Sequence, residues 1–128
     1  MALDLITEQI QDIFDKYDRD MKRKVNTAVD TVAKESVSRL KNTSPKRPGH
    51  GEYAQGWAIK RARGHNGIND LAIWNAKHYQ LTHLLENGHV ISNGRGTYGR
   101  TRPRPHIKAV EDYFNSEVLE EIKRELEQ

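Results

Sequence analysis

The chain has 128 residues, of which 35% are hydrophobic and 30% are charged, and it contains no cysteine. This length suffices for a single domain, residues 1–128, with a modest core, and the lack of cysteine excludes a disulfide scaffold and a thiolate metal site. The first residues are neither basic nor apolar, and no run approaches about 18 apolar residues, so we expect neither a signal peptide nor a membrane span.

The net charge of +3 conceals a segregation of charge along the chain. Residues 1–40 carry 7 basic and 8 acidic groups, residues 41–108 carry 12 and 3, and residues 109–128 carry 2 and 7. The middle is therefore basic and the end acidic. A basic centre of this kind can bind nucleic acid, or it can bind acidic surfaces on protein neighbours, including the C-terminal helix of another copy. Charge alone leaves both partners open.

Residues 1–41 predict a long amphipathic helix, because no Pro or Gly occurs there and apolar residues recur at helical intervals. An unbroken helix of roughly 37 residues spans about 55 Å, whereas a globule of this size should have a radius of gyration near 14 Å. The helix must therefore overhang its domain or kink, and an overhanging apolar stripe argues for an oligomer. A frayed N-terminal third is the alternative. The stripe residues expected to contact a partner are Ile6, Ile10 and Phe14.

Residues 42–76 predict a loop followed by a β-hairpin. Two segments of alternating apolar and polar residues start at Trp57 and at Leu71, and the Asn66-Gly67 pair between them suits a tight reversal with positive φ. We expect both tryptophans, Trp57 and Trp74, in the core.

Three further elements complete the chain. Residues 77–88 predict a short helix that stops at Asn87-Gly88, residues 89–105 a basic, glycine-rich arm, and residues 106–128 a C-terminal helix that follows Pro105. The arm should form two extended segments about a Gly94-Arg95-Gly96 tip and is able to pair as a hairpin. The prediction is an α+β fold in which a long N-terminal helix and a C-terminal helix pack on a small antiparallel β-sheet, with a short helix and an extended basic arm.

The arm is expected to bind a partner. Its glycines supply flexibility, and arginine supplies planar donors for carboxylate or phosphate. A phosphate loop is not indicated, because the Gly-Lys-Ser/Thr ending before a helix is missing. The predicted contact residues of the arm are Arg95, Tyr98, Arg100, Arg102 and Arg104.

The histidines do not predict a metal site. His78, His83 and His89 are spaced by five and six residues, which places them on different faces of a helix. We expect His83 at the surface, and His89 and His106 to cap or hydrogen-bond the loop ends.

No catalytic arrangement is visible. A metal-dependent nuclease needs acidic or imidazole groups gathered around an ion, yet residues 41–108 contain only Glu52, Asp70 and Glu86 as acids. We interpret Glu86 as a solvated helix-end residue or an ion-pair partner of a nearby base. The sequence therefore predicts neither an enzyme nor a cofactor.

Three short motifs carry a resemblance to a known family. They are Ser44-Pro45-Lys46-Arg47 with Tyr53 to Trp57, Leu84-Leu85-Glu86-Asn87-Gly88-His89, and Arg104-Pro105-His106-Ile107. Over about residues 36–115 the chain resembles the head–tail joining or tail-completion family of long-tailed bacteriophages, with minor tail components of the siphophage type. Pro48 to Gly51 appears as an insertion relative to that family. The structural motif residues are Trp57, Leu84, Leu85, Gly88, His89, Pro105 and His106.

The resemblance implies a non-enzymatic virion protein of the neck, made in the cytoplasm of the bacterial host. It implies a ring-forming subunit whose partners are copies of itself, the head connector or adaptor, and tail-tube or tail-terminator proteins, close to the path of the DNA. It carries over no catalytic, metal-binding or cofactor-binding residue. A small basic nucleic-acid-binding protein is the alternative, with a metal-dependent nuclease ranked below it.

Overall fold

The computed structural model describes residues 2–46, 49 and 51–128. Side chains are described from residue 8 onward within these ranges, apart from those at positions 63, 65, 92, 93 and 98. The side chains of the predicted contact residues Ile6 and Tyr98 lie outside this set, as do Arg47 of the first motif and two residues of the insertion, Pro48 and His50.

The fold is α+β, as predicted. In chain order its elements are α1 (Ala2–Thr43), α2 (Glu52–Gln55), β1 (Trp57–His65), β2 (Ile68–Asn75), a 3-10 turn (Tyr79–Leu81), α3 (Thr82–Asn87), β3 (Val90–Asn93), β4 (Gly96–Arg100) and α4 (Ile107–Leu126). Two details differ from the prediction. The four-residue helix α2 lies where a loop was expected, and the short helix expected over residues 77–88 consists of a 3-10 turn followed by α3.

The strands form two separate antiparallel hairpins. In the first, Trp57 of β1 lies opposite Asn75 of β2, and the turn places Asn66 at φ 55° and Gly67 at φ 83°, which confirms the predicted reversal. In the second, β3 pairs with β4. The arm is therefore a hairpin of its own.

Helix α4 runs antiparallel to α1 along the C-terminal half of α1. Val110 packs against Leu40 in the core, the Arg39 guanidinium lies 3.6 Å from the centre of the Tyr113 ring, and Lys24 Nζ donates to the carbonyl oxygen of Gln128 at 2.7 Å. The first hairpin packs on α1 beside it, held at its turn by the Asn26 side chain. The central cluster consists of Leu40, Tyr53, Trp57 and Val110, with Val37, Ile73, Leu85 and Ile107 packed against it.

The prediction of a core position is confirmed for Trp57 and wrong for Trp74. Trp57 is 5% exposed, and its indole N–H donates to Ser44 Oγ at 2.7 Å. Trp74 is 38% exposed and lies beside Tyr79, with Lys60 Nζ 5.3 Å from the centre of its ring. The two residues point to opposite faces of the hairpin, and α1 covers one face only.

The N-terminal part of α1 overhangs the rest of the protein. All residues from Glu8 to Arg19 are exposed, because a 42-residue helix is about 63 Å long and the 20-residue α4 covers only its far half. The protein exposes 9612 Å², whereas a compact monomer of its mass exposes about 7000 Å². The overhang carries an apolar line, hereafter the α1 stripe, made of Ile10, Ile13, Phe14 and Tyr17, which are 48%, 66%, 64% and 62% exposed.

A buried asparagine ties the end of the first hairpin to α2. Asn75 is 1% exposed; its amide donates to the carbonyl oxygen of Tyr53 at 2.7 Å, and its Oδ1 accepts from the backbone N–H groups of Lys77 and His78 at 3.2 and 2.9 Å. Gly56 makes room for it, since a Cβ there would lie 2.4 Å from Asn75 Oδ1.

Asn75→Ala should destabilise the fold by about 2–4 kcal/mol, because it leaves a buried carbonyl and two backbone N–H groups without their partner and opens a small cavity. Asn69→Ala is the matched control on the same strand, since the Asn69 side chain is exposed, and it should change stability by less than about 0.5 kcal/mol. Urea unfolding of the three proteins measures the difference. Equal unfolding midpoints would contradict the role assigned to Asn75.

Candidate interface for assembly

The start of α4 is capped by a side chain from α3. Glu86 Oε1 accepts from the backbone N–H groups of His106 and Ile107 at 2.6 and 2.8 Å, and Oε2 accepts from that of Lys108 at 3.1 Å. His106, at the N-cap position, provides no side-chain cap of its own. A carboxylate here also complements the helix dipole. The interpretation of Glu86 as a solvated residue is therefore wrong, because its side chain is 15% exposed and bonded to the backbone of α4; the alternative interpretation, a nearby base as partner, finds His106, whose Nδ1 lies 3.2 Å from Glu86 Oε1.

These donors set the acidity of Glu86. Burial by itself raises the pKa of the carboxyl, but the three backbone N–H donors outweigh that effect and hold the pKa below the ordinary value of 4.5. The ionised form is thus the one that the folded protein favours.

His106 forms the buried centre of this junction. It is 3% exposed; Nδ1–H donates to the carbonyl oxygen of Arg104 at 2.8 Å, which leaves Nε2 to accept from the Tyr53 hydroxyl at 2.7 Å. Burial, and next the charge of Glu86, raises the pKa of Tyr53 to about 12, so its hydroxyl keeps its proton. The prediction that His106 hydrogen-bonds a loop end is confirmed.

The base of the arm is closed beside this junction. Gly88 takes φ 74°, and a Cβ there would lie 2.6 Å from the carbonyl oxygen of Thr101, so the predicted helix stop is also a close backbone approach. The N–H of Thr101 donates to the carbonyl oxygen of His89 at 2.8 Å, and the N–H of His89 donates to Thr101 Oγ1 at 2.9 Å. His89 therefore bonds a loop end, as predicted.

The second and third sequence motifs meet at this junction. The N–H of Arg104 donates to the carbonyl oxygen of Leu85 at 2.7 Å, which clamps the returning arm to α3, and Pro105 then leads into the cap of α4. Glu86 was missed as a capping residue. Two signals point to it: acids are rare in the middle of the chain, and neither His106 nor the first turn of α4 supplies a carboxylate.

Beside the junction lies an open cavity of about 450 Å³, hereafter the basic groove. Its lining includes three leucines, Leu81, Leu84 and Leu85, and three bases, Lys46, Arg102 and Arg104. Leu81 and Leu84 are 38% and 41% exposed, so apolar surface faces the solvent. Glu52 is the one acid in the lining. The groove thus offers an apolar floor with a basic rim.

The arginines of the arm do not form one cluster. Arg95 lies at the tip, Arg100 ends β4, and Arg102 and Arg104 lie on the returning segment next to the groove; all four are exposed. The segment 89–105 carries these four bases and no acidic residue.

A metal site and a membrane-spanning helix each place requirements on the described residues. No group of three His, Cys, Asp or Glu side chains there could hold a metal ion, and His83 is exposed. No helix in the described part of the chain is apolar over a length that would cross a bilayer.

The fold and its exposed surfaces define a small α+β protein that presents a bare helix end, a basic groove and a basic arm to partners. Residues 8–88 match the family described as "Bacteriophage HK97-gp10, putative tail-component". Because the match covers more than half of the chain, the protein belongs to this family of phage tail components. No curated protein and no solved structure shows significant similarity to the chain.

The family match confirms the resemblance but shifts its extent. The motifs suggested residues 36–115, whereas the match includes α1 from residue 8 and ends at Gly88, before the arm and α4. A tail component works among other phage structural proteins, and the virion is the place that this membership indicates.

Glu86→Gln should lower the stability at pH 7 by about 1 kcal/mol, because the variant keeps the shape of the cap but loses its charge at the helix N-terminus. Since the folded pKa lies below 4.5, the contribution of the wild-type carboxylate is complete above that pH and is lost as the pH falls through the folded pKa. Denaturant unfolding at pH 7 and stepwise to pH 3 should show the two proteins converging in acid. Glu120→Gln on the exposed face of α4 is the control; a gap that persists unchanged at pH 3 would refute the electrostatic cap.

Proposed function

We propose that this protein completes the tail at the head–tail interface of a long-tailed phage, as a structural subunit without enzymatic activity. It assembles into a ring and docks on neighbouring neck or tail proteins. Membership of a family of phage tail components supports this role. The observation that carries it is the α1 stripe, four large apolar side chains about half or more exposed on a helix end that no other described residue covers.

Such a surface is costly for a protein that works alone. Contiguous exposed apolar patches mark interaction sites, and oligomers bury them through repeated contacts related by symmetry. The protein exposes more surface than a compact monomer of its mass. The difference is comparable to the surface that a subunit buries against its neighbours in a stable assembly. We assign Ile10 and Phe14, with Ile6 on the same line of the sequence, to that subunit contact.

The arm provides the second contact. Arg95, Arg100, Arg102 and Arg104, with Tyr98 between them in sequence, would dock on acidic surface of an adjacent subunit or ring. Arginine suits this role because its planar donors pair with carboxylates in two contacts at once. Arg95 and Arg100 lie on the β3–β4 hairpin, Arg102 and Arg104 lie on the segment that returns from it, and all four side chains are exposed to a neighbour.

Binding of DNA remains the second candidate function. The largest basic cleft, about 670 Å³ between α1 and the first hairpin, is lined by five bases, but four of them already pair with Asp18, Asp20 and Asp30. These pairs reduce the charge available to phosphates. A phosphate-driven complex should weaken steeply as salt rises, whereas a ring held by apolar contacts should persist.

Reversal of charge at Arg100 and Arg102 (R100E/R102E) should leave the monomer folded, because both side chains are exposed, and should block the joining of heads to tails. The reversed charges turn attraction between the two binding surfaces into repulsion. A loss of about 1.4 kcal/mol of binding free energy already weakens binding tenfold. Virion yield, measured by complementing a phage that lacks its own copy, should fall at least about tenfold, with unjoined heads and tails accumulating.

The matched control reverses two exposed lysines outside the arm, Lys77 and Lys123, with the same change in net charge. That variant should give a normal yield. Circular dichroism and thermal unfolding confirm that both variants fold. A normal virion yield from the arginine variant would contradict the proposed function of the arm.

A further inference from the structure

The helix end that carries the apolar α1 stripe is acidic. Residues 8–18 carry four acids and a single base. Of these acids Asp18 lies beside the stripe; it pairs with Lys22 on the next turn, at 2.8 Å with the aspartate side chain 62% exposed. An exposed pair of this kind contributes little and exchanges readily. The surface that would cover the stripe should therefore be apolar in its centre and basic at its edge.

The basic groove has this composition. Its leucines present apolar surface, and Lys46, Arg102 and Arg104 surround them. The second apolar opening, about 280 Å³ between α1, β2 and α4, has Glu111 as its one charged lining residue and would repel an acidic helix. Charge therefore distinguishes the two openings.

A chain cannot bring its own stripe to its own groove. Pro45 and Lys46 of the groove directly follow α1, and Phe14 lies 31 residues before Pro45, almost all of them on one continuous helix. The two surfaces are thus about 45 Å apart on a rigid element. The partner of the stripe must be another molecule, and the contact joins different surfaces on the two molecules.

We propose that the α1 stripe of one copy binds in the basic groove of a second copy of this chain. This inference rests on the proposed ring assembly and specifies its contact. Since each subunit offers one stripe and one groove, the contact is head-to-tail, the kind that closes into a ring when the rotation between subunits allows it. In the competing arrangement, α1 packs against α1 of a second copy in a two-fold pair. That arrangement would bring two acidic helix ends together.

Cysteine cross-linking of two full-length variants tests the contact. The natural chain has no cysteine, so each variant, Phe14→Cys or Leu84→Cys, carries a single thiol, and tags of different mass distinguish the 14–84 product from the 14–14 and 84–84 products. Mixed under mild oxidation, they should give the 14–84 heterodimer at least about tenfold above the level of an Asp12→Cys and Leu84→Cys mixture, since Asp12 lies on the opposite face of the helix and a disulfide requires close Cα atoms.

Each other outcome overturns the inference. A dominant 14–14 product would show that the stripes pair with each other. Equal yields from the test and control mixtures would show that the groove does not hold the stripe. Light scattering of the natural protein then separates the stripe–groove contact from self-association in general. An assembly that forms without the 14–84 cross-link would contradict this contact but leave the proposed ring. A monomer at every concentration and salt would contradict self-association of the isolated protein as well.

Charge exchange provides an independent test. One variant carries Asp18→Lys, and the other carries Arg102→Glu and Arg104→Glu. Each variant alone opposes like charges, so its self-association should weaken at least about tenfold. The two mixed together oppose unlike charges at both contacts and should associate again. Failure of the mixture to associate would overturn the contact, while the proposed function stays open to the separate measurement of virion yield.

Discussion

The length of α1 is the constraint on which the rest of the structure depends. Extending a helix that has already nucleated costs little, so an unbroken amphipathic sequence without Pro or Gly continues past the point where the core ends. The core is small because α4 and two hairpins are all that the remaining sequence supplies. One half of α1 therefore organises the fold, and the other half leaves it with its apolar side chains exposed. The same element is both the scaffold of the subunit and its most exposed surface.

The far end of α1 is organised by the junction around Glu86 and His106. The carboxylate fixes the first turn of α4, and His106 joins the returning arm to Tyr53 in the core. The segment between Thr101 and Arg104 is held at both ends by backbone hydrogen bonds to His89 and Leu85. Consequently the bonds that start α4 also place the basic rim of the groove. A change that loosens the cap would disturb packing and binding surface together.

Much of this architecture could be predicted from the sequence, because the signals were local. Helical periodicity marked α1 and α4, the Asn66-Gly67 pair marked the first hairpin, and Gly88 marked the end of α3. The capping role of Glu86 was not predictable from local pattern, since its partners lie 20 to 22 residues away. Trp74 was misplaced for a similar reason: alternation shows that a strand has two faces, but not which face a distant helix covers.

The segregation of charge along the sequence acquires a meaning from this geometry. Within the subunit, many exposed charges on the helices are neutralised on the same helix, as in the pairs of Arg124 with Glu117 and Glu121. The arm differs, because residues 89–105 carry four bases and no acid. Their positive field therefore extends into solvent and acts mainly on other molecules. Two subunits that approach by like surfaces repel each other, whereas an acidic helix end approaching a basic groove is attracted. In the assembly that we propose, long-range charge would select the direction of approach before apolar contact stabilises it, and the separation of the two surfaces on a rigid helix would prevent a subunit from filling its own groove.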